Sequence, residues 1–282
     1  MEKRLSISIL GAGGKMGCRI VDNLVKHDYE LYFIEVGERG IANLKERNLA
    51  TTDRNEALAK SDYVILALPD ALLKSATEEI TPYLREGSTV ITLDPAAAYM
   101  SELTTKESCT YVVTHPCHPA LFGEQETEQA RKDLFGGIAA KQDIVIALMK
   151  GDEEKFLIAE QICINMFAPV TTCHRITVEQ MAILEPAAAE VVVASAAVIM
   201  KEAIEEAISR GVPRAAAEAF LLGHIQIPLA ITLKNVNPFS DAAKIAIEYG
   251  KKHIYREDWK KVFEPENVRE VLGYMLHPER KL

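Results

Sequence analysis

Leu5-Ser6-Ile7-Ser8-Ile9-Leu10-Gly11-Ala12-Gly13-Gly14-Lys15-Met16-Gly17 decides the fold. The apolar, isoleucine-rich run predicts a buried strand. It enters a glycine cluster, and Lys15 to Lys26 then predicts a helix with Met16, Ile20, Val21, Leu24 and Val25 on one face. Strand, tight turn and helix are the parts of a dinucleotide-binding unit. Gly11 suits a sharp turn, Gly13 suits close approach of a pyrophosphate, and Gly17 lets helix and strand pack closely. The amides of Gly14, Lys15 and Met16 are expected to face the phosphates from the positive helix end. The spacing departs from G-x-G-x-x-G because position 16 is Met. It fits G-x-G-x-x-x-G or, through Gly14, G-x-x-G-x-x-G. A second strand, Glu30 to Glu35, ends in an acid 22 residues after Gly13. An acid there accepts from ribose hydroxyls and repels a 2′-phosphate, which predicts NAD rather than NADP. The expected coenzyme contacts are Gly11, Ala12, Gly13, Gly14, Lys15, Met16, Glu35 and Leu68.

The alternation continues outward from this unit. A helix is expected over 41–47, a short strand over 49–52, and Asn55 as a helix cap. Strands follow at 63–68, 89–93 and, as the sixth, 111–114, with helices at 71–84 and 96–105. After a long connection come a strand at 144–149, a helix at 153–167 and a strand at 170–174. This order predicts an α/β fold, a Rossmann-type doubly wound, mostly parallel sheet, with ligands beyond the carboxyl ends of its strands. From Thr177 the pattern is helical throughout: 177–210 with a kink at Pro186, 214–233 interrupted near Pro228, 242–252 and 265–275. The expected organisation is an NAD-binding domain over 1–175 and an all-α substrate and dimerisation domain over 176–282.

Composition narrows the function. The chain has 282 residues and a net charge of -9, which argues against nucleic acid or an anionic membrane as partner. Five cysteines, an odd number without a C-x-x-C pair, fit reduced thiols and a cytoplasmic protein. Lys3 and Arg4 precede an apolar run of only six residues, which reads as a strand and not a signal peptide. Met181 to Met200 is mostly apolar but holds Glu185, Pro186 and Glu190, which are costly in lipid. It reads as a buried helix, and burial by a second copy predicts a homodimer.

Hydride transfer to NAD needs a group that takes the alcohol proton and groups that hold the substrate's charge. His115, at the expected carboxyl end of a central strand, is the first candidate acid/base. His118 is the second, with Cys117 between them. Glu185, an acid in an apolar helix just before a proline, is the third. His115 and Glu185 together could ligate a divalent metal that polarises a hydroxy acid. His224 reads as a core histidine.

Gly11 to Gly17, His115-Pro116-Cys117-His118-Pro119 and Leu184-Glu185-Pro186 carry a resemblance. The layout is similar to the 6-phosphogluconate dehydrogenase superfamily, which includes ketol-acid reductoisomerases and prephenate dehydrogenases. Within it the chain most resembles the D-apionate oxidoisomerase family. That resemblance implies NAD-dependent oxidation of a small branched hydroxy or sugar acid coupled to carboxylate migration, and a substrate-contacting His115. Two departures stand out. Lys234 is followed directly by Asn235, not by an asparagine four residues on, so the hydroxyacid dehydrogenase pair is missing. Ala120 replaces the aspartate that precedes the reductoisomerase metal-binding glutamate, here Glu124. The alternatives are a non-catalytic NAD-binding sensor, a simple hydroxyacid dehydrogenase without rearrangement, and a hydrolase using Cys117 with His118.

Overall fold

The computed structural model describes residues 4–280, so Lys3 lies outside them. Its first part runs β1 (Ser6–Leu10), α1 (Lys15–Leu24), β2 (Glu30–Ile34), α2 (Glu38–Glu46), α3 (Arg54–Lys60), β3 (Tyr63–Leu66), α4 (Asp70–Ile80), β4 (Thr89–Thr92), α5 (Ala96–Tyr99) and β5 (Thr110–Pro116). After α6 (Glu128–Lys132) follow β6 (Gln142–Lys150), α7 (Glu153–Met166), β7 (Val170–Arg175) and α8 (Val178–Ala182). The strands form one sheet in the order β2-β1-β3-β4-β5-β6-β7. The five from β2 to β5 are parallel, β6 is antiparallel to β5, and β7 is parallel to β6. The order reverses between β1 and β3, which opens a crevice at their carboxyl ends.

Strands β1, β3 and β4 are buried along their whole length, as expected of parallel strands covered on both faces. The serines of β1 are tolerated there because each has a partner. Ser6 Oγ donates to Asp62 Oδ2 at 2.7 Å, and Ser8 Oγ meets Ser61 Oγ at 2.6 Å. Helix α1 seals one face with Ile20, Val21 and Leu24, none of them exposed. Each such side chain contributes about 1.5–3 kcal/mol of burial energy. Val25, expected on that face, is 47% exposed as the C-cap of α1.

Several expectations change. Residues 49–52 form no strand: Asn48 takes a left-handed φ of 58° after α2, and Thr52 N donates to Phe33 O at 2.8 Å as a lone tether. The strand at 111–114 is therefore the fifth of the sheet, not the sixth. Asp53, not Asn55, caps α3 by accepting from Glu56 N at 3.0 Å. The long connection after β5 is organised by Asp133, whose Oδ2 accepts from the amides of Ile138, Ala139 and Ala140 at 3.0, 2.9 and 3.1 Å. Buried Asn23 of α1 donates to Gly137 O at 3.0 Å and holds this loop against the helix.

The chain divides into two compact units, Ile183–Val268 and the remainder. The division falls after α8 and not at 175, and the first unit takes up the chain again from Arg269. There Leu272 and Leu276 are buried and His277 Nε2 meets Glu102 Oε1 at 2.9 Å. The second unit holds a π-helix (Ile183–Ala194), α9 (Ser195–Ser209), α10 (Arg214–Lys234), α11 (Asp241–His253) and the start of α12 (Pro265–Leu276). At Pro186, where a kink is expected, the chain forms a π-helical stretch. α10 passes through Pro228 without the expected interruption. Arg214 pairs with Glu205 and Glu218 at 3.1 Å each and so ties α9 to α10.

The buried apolar helix expected over 181–200 is largely exposed within a single chain. Val193, Val198 and Ile199 are exposed, and so are Phe220, Leu222 and Ile227 of α10. Val178–Ser209 and Arg214–Lys234 are long and apolar enough to cross a membrane, judged by length and composition alone. His224 is not in a core: it is exposed and stacked on Phe220 at 3.9 Å.

Candidate functional site

The turn after β1 is built by steric necessity. Gly11 has φ +73°, and a Cβ there would lie 2.4 Å from Ala67 O and 3.0 Å from Leu68 Cδ2. This puts Leu68, beyond β3, against the turn at the switch point of the sheet. A Cβ on Gly17 would meet Gly11 O at 2.0 Å, so α1 packs on the turn only with glycine at 17. A Cβ on Gly13 would meet Gly40 O at 2.1 Å. Gly13 therefore has a second task, the approach of α2. Ala12 is fully buried.

The amides divide differently from the expectation. Gly14 N donates to Gly11 O at 3.0 Å, so it closes the turn and does not face the crevice. Lys15 and Met16 begin α1, where backbone N–H groups have no carbonyl one turn earlier. Such amides at the positive end of the helix dipole are donors suited to an anion. Glu35 Oε2 accepts from Gly13 N at 3.0 Å, and its Oε1 accepts from Val36 N and Gly37 N at 2.9 Å each. The carboxylate thus joins the first turn to the end of β2. Asn43 Nδ2 donates to Gly13 O at 2.8 Å and braces the same turn from α2. Gly13, Gly14, Lys15, Glu35, Arg39 and Asn43 line a cleft of about 740 Å³ here. A glycine cradle that side chains would fill, donors at a helix start and an acid at the end of β2 fit a dinucleotide.

At the carboxyl ends of β4 and β5 the chain brings His115 and His118 together, with ring centroids 6.2 Å apart and the rings edge to face. His115 Nδ1 lies 2.9 Å from Leu93 O. A carbonyl only accepts, so Nδ1 carries the proton and the basic lone pair is on Nε2. His118, at φ +61°, has the same arrangement with Phe135 O at 2.9 Å. Phe135 packs edge-on to His118 at 6.0 Å, and Lys15 Nζ lies over its ring at 4.5 Å. One row of contacts thus runs from His115 through His118 and Phe135 to the start of α1.

Reading the sequence alone missed Phe135 and Asp94. Asp94, next after the strand expected at 89–93, is here a buried carboxylate accepting from Ala96 N at 2.8 Å. Its adjacency to Pro95 at the end of β4 was the available signal. Phe135 sits in a segment whose polar composition gave none.

Glu185 is half-buried in the π-helix of the second unit, and Glu190 is exposed. Glu124 is exposed. Among the described residues no three His, Cys, Asp or Glu side chains gather as a metal ion requires. His115 and Glu185 are by themselves only two donors, and no chemical step is routed through a metal. The five cysteines are all free. Partial burial and then Asp143 push the Cys117 thiol up, and burial pushes Cys173 up to about 12. Both shifts run against the thiolate that a hydrolase needs.

Residues 123–276 match the family model described as phosphogluconate dehydrogenase (decarboxylating) C-term, and residues 6–95 match NADP oxidoreductase coenzyme F420-dependent. A D-apionate oxidoisomerase of Blautia hydrogenotrophica is 41% identical, with 98% of each chain covered. One of Cupriavidus necator is 44% identical over 94% of this chain and 96% of that protein. A crystal structure of a semialdehyde dehydrogenase NAD-binding protein from Cupriavidus necator, in complex with calcium and NAD, is 43% identical. It superposes with a TM-score of 0.94 over 97% of this chain and all of that one.

Proposed function

The chain belongs to the D-apionate oxidoisomerase family and is an NAD-dependent oxidoisomerase, and we propose that D-apionate or a closely similar branched sugar acid is its substrate. NAD rests on the Gly11–Gly17 turn with Lys15, Met16, Glu35 and Leu68 around it, and supplies the hydride acceptor when bound. His115 is the acid/base. The observation that carries this role is the Leu93 O contact, which fixes the proton on Nδ1 and leaves Nε2 as the basic atom at the carboxyl end of β5. As the hydroxyl-bearing carbon loses hydride, Nε2 takes the hydroxyl proton. His118, held in the same tautomer and half-buried beside His115, is suited to bind the substrate's oxygens.

Glu185 is proposed as a second ionisable group acting on the acid. It is half-buried in a π-helical stretch, and such stretches are frequent at functional sites. The exposed apolar side chains of α9 and α10 favour a homodimer closed through the helical unit, in a cytoplasm that keeps the free thiols reduced. Light scattering at the mass of one chain would remove the dimer.

Incubating the protein with D-apionate and NAD, following NADH and identifying the product by NMR, tests the reading. A rearranged oxo acid is expected. An unrearranged oxo acid leaves a simple dehydrogenase, and NADH binding without turnover leaves a sensor. Calcium in the Cupriavidus necator structure favours a second reading, in which a divalent cation helps to hold the acid. Turnover unchanged by EDTA would sink it.

Glu35 selects the coenzyme in this account through its charge beside the ribose. Glu35→Ser is expected to lower the ratio of kcat/KM for NAD over NADP by about tenfold or more, because like-charge repulsion of the 2′-phosphate is removed. Steady-state kinetics with both coenzymes check this, and an unchanged ratio takes Glu35 out of the selection.

A further inference from the structure

We infer that Asp94 is a positioning residue for proton transfer at His115: a buried carboxylate that holds the imidazole ring and stabilises the imidazolium formed when the substrate hydroxyl gives up its proton. The inference rests on the acid/base role proposed for His115.

The arrangement follows from the sheet. β4 and β5 are parallel neighbours, with Thr92 opposite Val113. The next residues of both strands therefore emerge side by side at the carboxyl edge, Leu93 and Asp94 from one and His115 from the other. Leu93 O receives the Nδ1 proton of His115, and Asp94 Oδ2 lies 4.0 Å from the same nitrogen. Asp94 is 9% exposed. Its other oxygen accepts from Ala96 N at 2.8 Å at the start of α5, which fixes the carboxylate's orientation. Pro95 follows directly and stiffens the corner.

A fixed, poorly solvated negative charge beside the protonated nitrogen does little for neutral imidazole and much for imidazolium. When Nε2 accepts the hydroxyl proton, the ring gains a full positive charge, with Nδ1–H held by Leu93 O and the carboxylate 4.0 Å from the same nitrogen. Atoms and charge balance: the proton passes from substrate oxygen to Nε2, the hydride passes from carbon to NAD, and Asp94 stays ionised throughout. Leu93 O supplies the tautomer and Asp94 supplies the charge.

Asp94→Asn separates this from a merely structural role. Asparagine keeps a carbonyl oxygen for Ala96 N and removes the charge. The expected result is a fall in kcat on the order of 10- to 100-fold, with KM for the acid, affinity for NADH and Tm close to the parent values. In a His115→Ala background the same substitution is expected to cost nothing further, because the charge acts through the ring. Full kcat in Asp94→Asn, or an equal loss with and without His115, overturns the inference. If His115→Ala itself retains full turnover, the acid/base reading has failed instead, which the cycle reports separately.

Discussion

His115→Ala is expected to lower kcat for oxidation of the acid by about 10²- to 10⁴-fold, the usual worth of a positioned general base. Affinity for NADH should be unchanged, because the coenzyme turn lies at the ends of β1 and β3 while His115 closes β5. Stability should change little. The residue is half-buried, and the contact of its ring with Leu93 O lies at the rim of the sheet. Two measurements decide the matter, NADH fluorescence titration for binding and single-turnover NADH formation for chemistry. Undiminished turnover would remove His115 from the mechanism. Lost NADH affinity would mean that the residue supports the fold of the crevice and not proton transfer.

What was legible in the sequence was whatever local chemistry dictates. The run into Gly11 and the acid at 35 locate the nucleotide unit, because few other residues tolerate that turn or suit that ribose. His115 is legible because a strand end in a parallel sheet faces the crevice whatever its neighbours are. The segment 49–52 was not, since it lies against the free edge of β2 but makes only the Thr52 N to Phe33 O bond there after the left-handed turn at Asn48, and a strand needs a ladder. Pro228 was read as a helix break, but α10 continues around it. Asp94 was hidden because its meaning comes from a strand far away in sequence. The exposed apolar faces of α9 and α10 look like a core in one dimension and are a surface in three. Charge and thiol content bounded the partners without touching any of these particulars.

The glycine spacing stayed open in the sequence, and the backbone resolves it into a prediction of large effect. Gly17→Ala puts a Cβ 2.0 Å from Gly11 O, and Gly13→Ala puts one 2.1 Å from Gly40 O. Both obstacles are backbone atoms, so relief requires α1 or α2 to move off the turn. Gly14→Ala is different: its Cβ would be 3.2 Å from Gly11 O, and its φ of −69° suits any residue. The backbone therefore favours G-x-G-x-x-x-G, with Gly14 the most tolerant of the three, since Gly11 O need give by only a few tenths of an ångström. Gly17→Ala and Gly13→Ala are each expected to cost about 3 kcal/mol of stability, the upper range for an overpacked site, and to abolish measurable NADH binding. Gly14→Ala should keep NADH affinity within a few-fold and a Tm near that of the parent. Thermal melts and NADH titrations of the three variants check the order. If Gly14→Ala falls with the other two, the turn is read through the wrong glycine. If all three bind NADH normally, the crevice between β1 and β3 is not where the coenzyme rests.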